Sequence, residues 1–484
     1  MSLETKPLYS LADISTIPCV TTDILSRKEC DPRREGINGR NWNLPIIVSP
    51  MSCNYLDDME DIDAMIYEKS HVNVVLPRTI EFSERLEWCT KYMTAFSLTE
   101  SDYILKNVDD KSAPTMNICM DMANGHMESQ ILIGKQLKDK FGDKINLMGG
   151  NIANPETYSR YVEAGFDFVR VGIGGGNACF TADTKITMAD GSKKEIGVIK
   201  LGDEVLTKNG THKVVRVFIK EAIQIFIINN EIKCTTDHEF FVVNRSEITS
   251  ENLLADVLEK GKWVKAYELK QDEHCLVKYF DENNIKLIAI KSINIEFARE
   301  NPIPVFDLEV EEEHTYLAND FVVHNCLTST QSSVHYPMAS LLNDITEIRK
   351  KMNKDVTTKV VADGGISGYS DAIKCLALGA DFVMMGKVFT KASIHKEPLG
   401  TKVPYYGMST KKAQSEMGNK ELKTSEGRSL TVEKEYTLEG WVENFSDYLK
   451  SAMSYTDCRN LKEFNSKVKC QVISPNSSYA INNK

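Results

Sequence analysis

Residues 172–187 read GIGGGNACFTADTKIT, and residues 321–338 read FVVHNCLTSTQSSVHYPM. If the segment from Cys179 to Asn325 is removed in thought, Ala178 meets Cys326 and the joined text is GIGGGNACLTSTQSSVHYPM. The join restores a continuous glycine-rich turn, which 147 residues interrupt in the full chain. The sequence therefore predicts an inserted segment and a host of 337 residues around it.

Short apolar runs alternate with helical patterns along the host. The runs are LPIIVSP, VNVVLP, CTKYMTAFSL, MNICMDMANG, INLMGGNIA, FDFVRVGIGGG, TKVVADGG and DFVMMG. Helical patterns span Met59 to Lys69, Asn154 to Ala164, Ala339 to Lys350 and Tyr369 to Leu378. This alternation is typical of parallel βαβ units, and eight strands predict an α/β fold, a closed (β/α)8 TIM barrel with its site at the carboxyl ends of the strands. A doubly wound open sheet is the alternative, but no GxGxxG follows the first strand.

The inserted segment has an all-β pattern. The β-branched runs THKVVRVFIK, AIQIFIINNEIKC and HEFFVVN are separated by turn residues such as Asn209-Gly210 and Asn229-Asn230. One stretch, Ser246 to Lys262, is predicted to form a helix and a turn.

Composition limits the class of protein. Hydrophobic residues make up 42% of the 484 residues and charged residues 26%, which is typical of a globular protein. The net charge of −11 argues against nucleic acid as a partner, and no apolar run approaches the ~18 residues of a membrane span. The first residues lack the pattern of a secretory signal. Twelve scattered cysteines form no CxxC pair, so free thiols and a cytoplasmic location are expected.

The residues at the two ends of the segment can rearrange the chain. The Cys179 thiol can attack the carbonyl of Ala178 and convert an amide into a thioester. Cys326 can then capture that acyl group. The Asn325 side chain can close a succinimide and cut the chain before Cys326. Such steps need proton donors beside the leaving atoms, and histidine suits that role near neutral pH.

The segment resembles an intein. Its opening CFTADTKITMADG, its central CTTDHEFF and its end VFDLEVEEEHTYLANDFVVHN carry the resemblance. It implies a Hint fold, with Thr235 and His238 polarising the first bond, His314 and His324 assisting cyclisation of Asn325, and Asp307 coupling the steps. We expect 1–178 and 326–484 to be two parts of one barrel, and 179–325 to be a mini-intein. The segment shows no LAGLIDADG-like stretch of a homing endonuclease.

The host resembles the purine nucleotide oxidoreductases, the family of GMP reductase and IMP dehydrogenase, which are (β/α)8 barrels. The motifs are SPM at 49–51, DMANG at 121–125, GGN at 149–151, the rejoined GIGGGNAC-LT, ADGG at 362–365, YYGMS at 405–409 and SEGR at 425–428. The resemblance implies that a GMP reductase converts GMP and NADPH to IMP, ammonia and NADP through a covalent bond between a cysteine and the purine.

The same resemblance implies roles for host residues. Cys326 is the nucleophile, and Thr328 and Glu426 handle the proton of ammonia. The nucleotide pocket is expected to be lined by Ser49, Met51, Gly176, Asp363, Gly364, Gly365, Gly386, Tyr405, Gly407 and Met408. The cofactor NADPH is expected to face Arg78, Asp121, Asn124 and Gly125. A K⁺ site is implied at the carbonyls of Gly174, Gly176 and Cys326, and a homotetramer is expected after splicing.

Other functions stay open at this point. An IMP dehydrogenase would oxidise IMP with NAD and water, but the stretch STKKAQSEMGNKELKTSEGR lacks the arginine-tyrosine pair of its flap, and no room exists for the regulatory domains often inserted after the second strand. A Hint segment that cleaves without joining its flanks is a second alternative. A nucleotide-binding barrel without turnover is a third. The precursor itself is expected to be inactive as a reductase, because the insert breaks the loop of Cys326.

Overall fold

A computed structural model describes residues 8–39, 42–51, 70–122, 124–173, 179–222, 224–235, 238–248, 257, 260–281, 284–297, 303–311, 315–324, 335–352, 356–366, 368–393, 398–406, 410–416 and 429–473. These residues fall into two compact units. The first unit contains 8–173 and 335–473, and the second contains 179–324.

The strands follow one another along both units. They are β1 (Ile14–Ile17), β2 (Arg34–Glu35), β3 (Trp42–Asn43), β4 (Ile46–Val48), β5 (Asn73–Leu76), β6 (Met93–Phe96), β7 (Met116–Met120), β8 (Ile145–Ile152), β9 (Phe168–Val171), β10 (Phe180–Thr181), β11 (Lys185–Thr187), β12 (Lys193–Glu195), β13 (Glu204–Thr207), β14 (Gly210–Ala222), β15 (Gln224–Ile228), β16 (Ile232–Cys234), β17 (Glu239–Asn244), β18 (Lys262–Lys265), β19 (His274–Asp281), β20 (Asn284–Ala289), β21 (Ile293–Phe297), β22 (Ile303–Val310), β23 (Thr315–Ala318), β24 (Phe321–His324), β25 (Lys359–Asp363), β26 (Phe382–Met385), β27 (Ala392–Ser393), β28 (Lys402–Tyr406), β29 (Ser429–Glu433), β30 (Tyr436–Thr437) and β31 (Lys469–Val472).

The described α-helices all lie in the first unit, apart from the isolated helical positions 257 and 260. They are α1 (Phe82–Trp88), α2 (Leu98–Asn107), α3 (Glu128–Phe141), α4 (Pro155–Glu163), α5 (Met338–Lys351), α6 (Tyr369–Ala377), α7 (Lys387–Lys391), α8 (Lys411–Glu416), α9 (Leu438–Tyr455) and α10 (Leu461–Lys467). Within the described ranges, no helix combines the length and the apolar character needed to cross a membrane.

The first unit is a closed parallel barrel in the order β25-β26-β4-β5-β6-β7-β8-β9. Side chains alternate between its two faces, because successive residues of a strand point to opposite sides. In β4, for example, Ile47 belongs to the cluster that fills the barrel, whereas Ile46 and Val48 pack in the outer layer with the helices. Filled layers of this kind are the core of a (β/α)8 barrel, so the predicted fold class is confirmed and the open-sheet alternative is wrong.

The helices begin where the sequence offers caps. Asn154 accepts the backbone N–H of Glu156 at the start of α4, where Pro155 takes the first helical position. Ser97 and Glu100 form a capping box at the start of α2. The predicted helices from 154, 339 and 369 are therefore present as α4, α5 and α6. The predicted helix Met59 to Lys69 lies outside the described residues.

A hairpin closes the amino-terminal end of the barrel. Between β2 and β3, Ile37 joins the cluster inside the barrel, and its N–H donates to Oδ1 of Asn73 at 3.2 Å. Arg34 reaches Asp381, the residue before β26, at 2.9 Å. Asp381 also accepts from Arg349 at 3.0 Å. This buried ion cluster lies at the end of the barrel opposite to the carboxyl ends of the strands.

The second unit consists of two antiparallel sheets around its own core. One sheet has the order β13-β14-β22-β10-β16-β15-β21, and the other has β12-β11-β23-β24-β17-β19-β20, with β18 on β17. The predicted all-β character is confirmed. The helix predicted from Ser246 to Lys262 is wrong at both ends, since 245–247 form a 3-10 turn and Lys262 opens β18. Most residues between these ends lie outside the described part of the chain.

Candidate functional sites

Cys179 and Thr235 are joined by two hydrogen bonds, one between their backbones and one to the Thr235 side chain. The N–H of Cys179 donates to Oγ1 of Thr235 at 2.9 Å, and the N–H of Thr235 donates to the carbonyl of Cys179 at 2.8 Å. Both residues are buried, and Cys179 has no exposed surface. The Thr235 hydroxyl therefore touches the nitrogen that would leave if the Cys179 thiol attacked the preceding carbonyl.

His238 is enclosed by aromatic rings beside this contact. Its ring centroid lies 3.9 Å from that of Phe180 and 5.5 Å from that of Phe240. Its backbone N–H donates to the carbonyl of Thr235 at 3.2 Å. A fully buried imidazole that is fixed in this way has few orientations available, which is what an acid or base at a fixed leaving atom requires.

The segment from Thr235 to His238 connects the two sheets of the second unit. It follows β16, which pairs with β10 through Phe180 and Cys234. It precedes β17, in which Glu239 pairs with His324 of β24. The first strand of the unit, β10, therefore pairs with β16, and the last strand, β24, pairs with β17, so this segment connects the partners of both. Two distant ends of the sequence, Cys179 and His324, are brought to the same short segment.

Asp307 and Tyr316 form a buried pair in the same unit. The Tyr316 hydroxyl donates to Oδ1 of Asp307 at 2.6 Å, and the N–H of Leu308 donates to the same oxygen at 2.9 Å. Both side chains are fully buried. Burial raises the pKa of Tyr316, and Asp307 and Cys179 raise it further. Sequence reasoning missed Tyr316, although it lies two positions after the predicted His314.

At the barrel mouth, residues of three strand ends meet around Gly386. A Cβ at Gly386 would lie 2.7 Å from Sδ of Met51, 3.0 Å from Oγ of Ser49 and 3.6 Å from the hydroxyl of Tyr405. The Ser49 N–H donates to the carbonyl of Met385 at 3.0 Å. Four of the predicted nucleotide residues are thus brought together, and a side chain at position 386 would require Met51 to move.

Asp363 lies at the carboxyl end of β25 and accepts Nδ2 of Asn151 at 2.7 Å. Burial raises the pKa of the Asp363 carboxyl, and Asp121 adds to the rise, whereas Arg170 and the bond from Asn151 lower it. Gly364 and Gly365 follow with φ of 108° and 73°, a region that favours glycine. The ADGG stretch therefore turns sharply at the mouth.

Arg170 contributes a positive charge at this mouth, and sequence reasoning missed it. Its Nη2 contacts Oδ1 of Asp121 at 2.9 Å. Burial alone would lower the pKa of Arg170, but Cys119, Asp121 and Asp363 raise it. The arginine therefore stays charged between two predicted site carboxylates. Its signal in the sequence is a lone basic residue within the apolar run FDFVRVG.

The predicted cofactor residues Asn124 and Gly125 lie on the loop after β7. A Cβ at Gly125 would lie 2.6 Å from the carbonyl oxygen of Asn151, and the Gly125 N–H donates to that oxygen at 2.8 Å. The next residue, His126, accepts the N–H of Ala153 at Nε2 at 3.0 Å, and burial lowers the pKa of His126. The loop is thus held by hydrogen bonds to Asn151 near the end of β8 and to Ala153, the residue after β8.

Arg78 follows β5 at the same end of the barrel. Its Nε is buried and has no hydrogen-bond partner among the described residues. A buried donor without an acceptor is costly, so this nitrogen fits a site that an anionic group completes. That observation agrees with a phosphate-bearing cofactor.

Several predicted site residues lie outside the described residues. They are Gly174, Gly176, His314, Asn325, Cys326, Thr328, Gly407, Met408 and Glu426. His324 is described through its backbone in β24 alone. Across the described ranges, no three His, Cys, Asp or Glu residues group in a way that could hold a metal ion.

The sequence was compared with known families and proteins. Residues 102–211 and 324–480 match the IMP dehydrogenase / GMP reductase domain, and residues 181–325 match the intein splicing domain. A GMP reductase of Onchocerca volvulus is 30% identical over 150 residues, 29% of this chain and 40% of the relative. A GMP reductase of Shouchella clausii is 27% identical over 182 residues, 36% of this chain and 53% of the relative.

An inosine-5'-monophosphate dehydrogenase of Tritrichomonas foetus is 37% identical over 68 residues, which is 14% of each chain. The matches to the two reductases span about half or less of each relative's length. The two domain matches agree with the division of the chain that the structure shows. The barrel unit is built from two segments of the chain, and the all-β unit lies between them in the sequence.

Proposed function

The chain belongs to the IMP dehydrogenase / GMP reductase family, with an intein splicing domain inside its barrel sequence, and from that premise we propose that it is a precursor that splices itself into an active GMP reductase. The excised segment is 179–325, and the flanks 1–178 and 326–484 are joined. The paired contacts between Cys179 and Thr235 carry the first half of this proposal.

Splicing begins at Cys179 in this proposal. Its thiol attacks the carbonyl of Ala178, and the amide nitrogen of Cys179 leaves as an amine. Thr235 orients that nitrogen by its contact of 2.9 Å, and His238 supplies the proton. Both lie on the segment whose far end pairs with the strand of His324. Cys326 then takes over the acyl group, Asn325 cyclises with help from His314 and His324, and a final shift restores the peptide bond.

The reductase reaction begins once Cys326 has been released from the junction. Its thiol attacks C2 of the purine of GMP, ammonia leaves, and Thr328 and Glu426 handle the proton of ammonia. Asp363 accepts hydrogen bonds from the ribose hydroxyls. Arg170 and Asn151 oppose the rise in its pKa that burial causes. Ser49, Met51, Gly386 and Tyr405 form one wall of the nucleotide pocket, and their convergence supports this assignment.

NADPH supplies hydride to C2 when it is bound. The residues that would hold it are Arg78, Asp121, Asn124 and Gly125, and the unsatisfied Nε of Arg78 supports an anionic partner there. The joined protein is proposed to be a cytoplasmic homotetramer that binds GMP and IMP and does not bind nucleic acid. K⁺ at the carbonyls of Gly174, Gly176 and Cys326 is part of the same proposal.

The reductase is favoured over the dehydrogenase by the stretch 409–428, which lacks an arginine-tyrosine pair for hydrolysis of the adduct. Several of the relatives that match across 28–36% of this chain are also called GMP reductase. Assays of the joined protein with GMP and NADPH, and with IMP and NAD, separate the two activities.

The first prediction tests both halves of the proposal. Expression of the wild-type gene should yield a joined protein of 337 residues and a free segment of 147 residues, seen by mass spectrometry. The double variant Cys179→Ala, Asn325→Ala should stay as the 54.5 kDa chain. Only the joined protein should oxidise NADPH when GMP is present. Oxidation by the trapped chain would contradict the proposal, as would two fragments without a joined product.

A further inference from the structure

The ring of His126 joins the segment 124–127, which precedes α3, to the chain that follows β8. Its Nε2 accepts the N–H of Ala153 at 3.0 Å. Its Nδ1 lies 3.1 Å from Oγ1 of Thr157, in the first turn of α4. The same segment carries two of the residues that are proposed to hold the nicotinamide cofactor. One side chain therefore links that segment both to the end of a neighbouring strand and to α4.

These two contacts fix the protonation state of the ring. A backbone N–H can only donate, so Nε2 must offer a lone pair to Ala153. The neutral imidazole then carries its proton on Nδ1, which donates to the hydroxyl of Thr157. A second proton would place an N–H on Nε2, facing the N–H of Ala153. The contact with Ala153 therefore exists only while His126 is neutral.

The backbone of His126 also orients a proposed cofactor residue. Its N–H donates to Oδ1 of Asn124 at 3.1 Å, and Asn124 itself is exposed. The intervening Gly125 donates its N–H to the carbonyl of Asn151 at 2.8 Å and accepts the hydroxyl of Tyr161 at 2.7 Å. The orientation of Asn124 therefore depends on how firmly residue 126 is held, and the ring of His126 provides that hold on the side of α4.

Burial lowers the pKa of the His126 imidazole, so the ring is neutral near neutral pH. The charged residues between β7 and α3, between β8 and α4, and in the first two turns of both helices are Asp121, Glu128, Glu156 and Arg160. Glu128 pairs with Arg160 at 2.7 Å, and Asp121 pairs with Arg170 at 2.9 Å. Two of the three carboxylates thus already have a cationic partner.

We propose that His126 is a positioning residue for the nicotinamide cofactor: its neutral ring holds Asn124 and Gly125 in the geometry that binds the cofactor, and protonation of the ring weakens that binding. This inference rests on the proposed reductase function. The held ring binds a proton more weakly than a free imidazole, whose pKa is about 6.5. Cofactor affinity is therefore complete above that value and is lost as the pH falls through the lower pKa of the held ring.

The kinetic test uses the spliced protein from about pH 7.5 to about pH 5.5. It measures KM for NADPH with GMP in excess, and KM for GMP with NADPH in excess. His126→Phe keeps a ring and loses both contacts, so its KM for NADPH should be about 10-fold higher at every pH, the effect of a lost buried hydrogen bond. The wild-type KM for NADPH should rise toward that value in acid. The KM for GMP should not follow it, whereas a general structural defect would raise both.

His126→Gln is the conservative variant. Its side-chain oxygen can accept from Ala153 as Nε2 does, and it gains no proton in this range. Its KM for NADPH should therefore stay close to the neutral wild-type value in acid. The exposed His71, which precedes β5 at the opposite end of the barrel, is the matched control, and His71→Asn should keep the wild-type profile.

Hydrogen–deuterium exchange of the cofactor-free spliced protein tests the contact without turnover. The amides of 124–127 should exchange about 10-fold faster in His126→Phe than in the wild type, because the segment opens more often. The ratio of the wild-type exchange rate to that of His126→Gln should grow as the pH falls, since only the wild type loses its contact in acid.

A wild-type KM for NADPH that stays constant in acid, or an equal rise in His126→Gln, would overturn the inference while the reductase stands. Equal exchange rates in the three proteins would also overturn it. A spliced wild type that does not oxidise NADPH with GMP would overturn the proposed function instead, and the exchange rates would still decide whether the ring holds the segment. If His126→Phe is insoluble, the comparison of the wild type with His126→Gln decides alone.

Discussion

At the scale of single residues, Asp381 shows how a buried charge is kept in the barrel unit. It lies at the closed end, and its carboxylate accepts from Arg34 at 2.9 Å, Arg349 at 3.0 Å and the N–H of Val360 at 2.9 Å. Burial alone would raise the pKa of Asp381, but Arg34, Arg349 and Lys359 lower it. The two arginines outweigh the cost of burial, so the carboxyl stays ionised.

Asp381→Asn should destabilise the joined protein by about 3 kcal/mol, the lower end of the range for a broken buried pair, because it leaves two partly buried arginines without their charge partner. Urea unfolding followed by tryptophan fluorescence measures the change. The exposed Asp139, paired with Lys135, is the matched control, and Asp139→Asn should change stability by less than about 1 kcal/mol. Equal effects of the two substitutions would contradict the assignment.

The lowered pKa of Asp381 makes the stability of the barrel unit depend on pH. The folded state binds the proton more weakly than the unfolded chain, whose carboxyl has a pKa of about 3.9. The stability that Asp381 contributes is therefore complete above that value and is lost as the pH falls through the lower pKa of the folded state. The difference between wild type and Asp381→Asn should shrink in acid.

At the scale of elements, the short connection from β16 to β17 links the two ends of the second unit. It supplies Thr235 to Cys179 at one end and leads into the partner of His324 at the other. A change that keeps its shape and removes one polar contact therefore tests chemistry without disturbing the sheets.

Thr235→Val keeps the shape of the side chain and removes the hydroxyl that accepts the Cys179 N–H. Thioester formation should slow by about 100-fold or more, the range of a lost acid–base contact. Cleavage by added thiol measures this step in a precursor that also carries Asn325→Ala and Cys326→Ala. Thr235→Ser should restore most of the rate, and wild-type cleavage by Thr235→Val would show that the hydroxyl has no role.

The barrel strands and the antiparallel sheets could be predicted because burial imposes a period on the sequence. The cluster of Arg170 with Asp121 and Asp363 could not be predicted, because Arg170 lies within an apolar run and its two partners belong to the ends of β7 and β25. Tyr316 was missed for the same reason: its contact with Asp307 joins two strands, and an isolated aromatic residue in a buried strand indicates packing alone. The helix and turn predicted over 246–262 were wrong at the two ends alone, because helical spacing within the stretch does not exclude a strand that begins at Lys262.

At the scale of the whole molecule, the two units have separate hydrophobic cores. One cluster fills the barrel and another surrounds it, whereas the second unit packs around Phe180, Phe240, Tyr316 and their neighbours. The strand β31 pairs with β1, so residues 469–472 complete the barrel unit and do not join the inserted one. We infer that the barrel does not need the second unit for its own core.

A gene that encodes 1–178 joined directly to 326–484 should therefore yield a folded protein with the activity of the spliced product. Its kcat, its KM for GMP and its unfolding midpoint should match those of protein that has spliced itself. An insoluble or inactive direct product, beside an active spliced one, would mean that the inserted unit assists folding of the barrel.

The hairpin of β11 and β12 is joined by the exposed turn 189–192, on strands that reach neither Cys179 nor His324. Both ends of the second unit, Cys179 and His324, lie beside the one connection from Thr235 to His238. A peptide inserted in the turn 189–192 would therefore be removed together with the excised segment. An affinity tag inserted there would allow the precursor to be purified. Splicing would then remove the tag with the excised segment, and the joined protein would carry no extra residues.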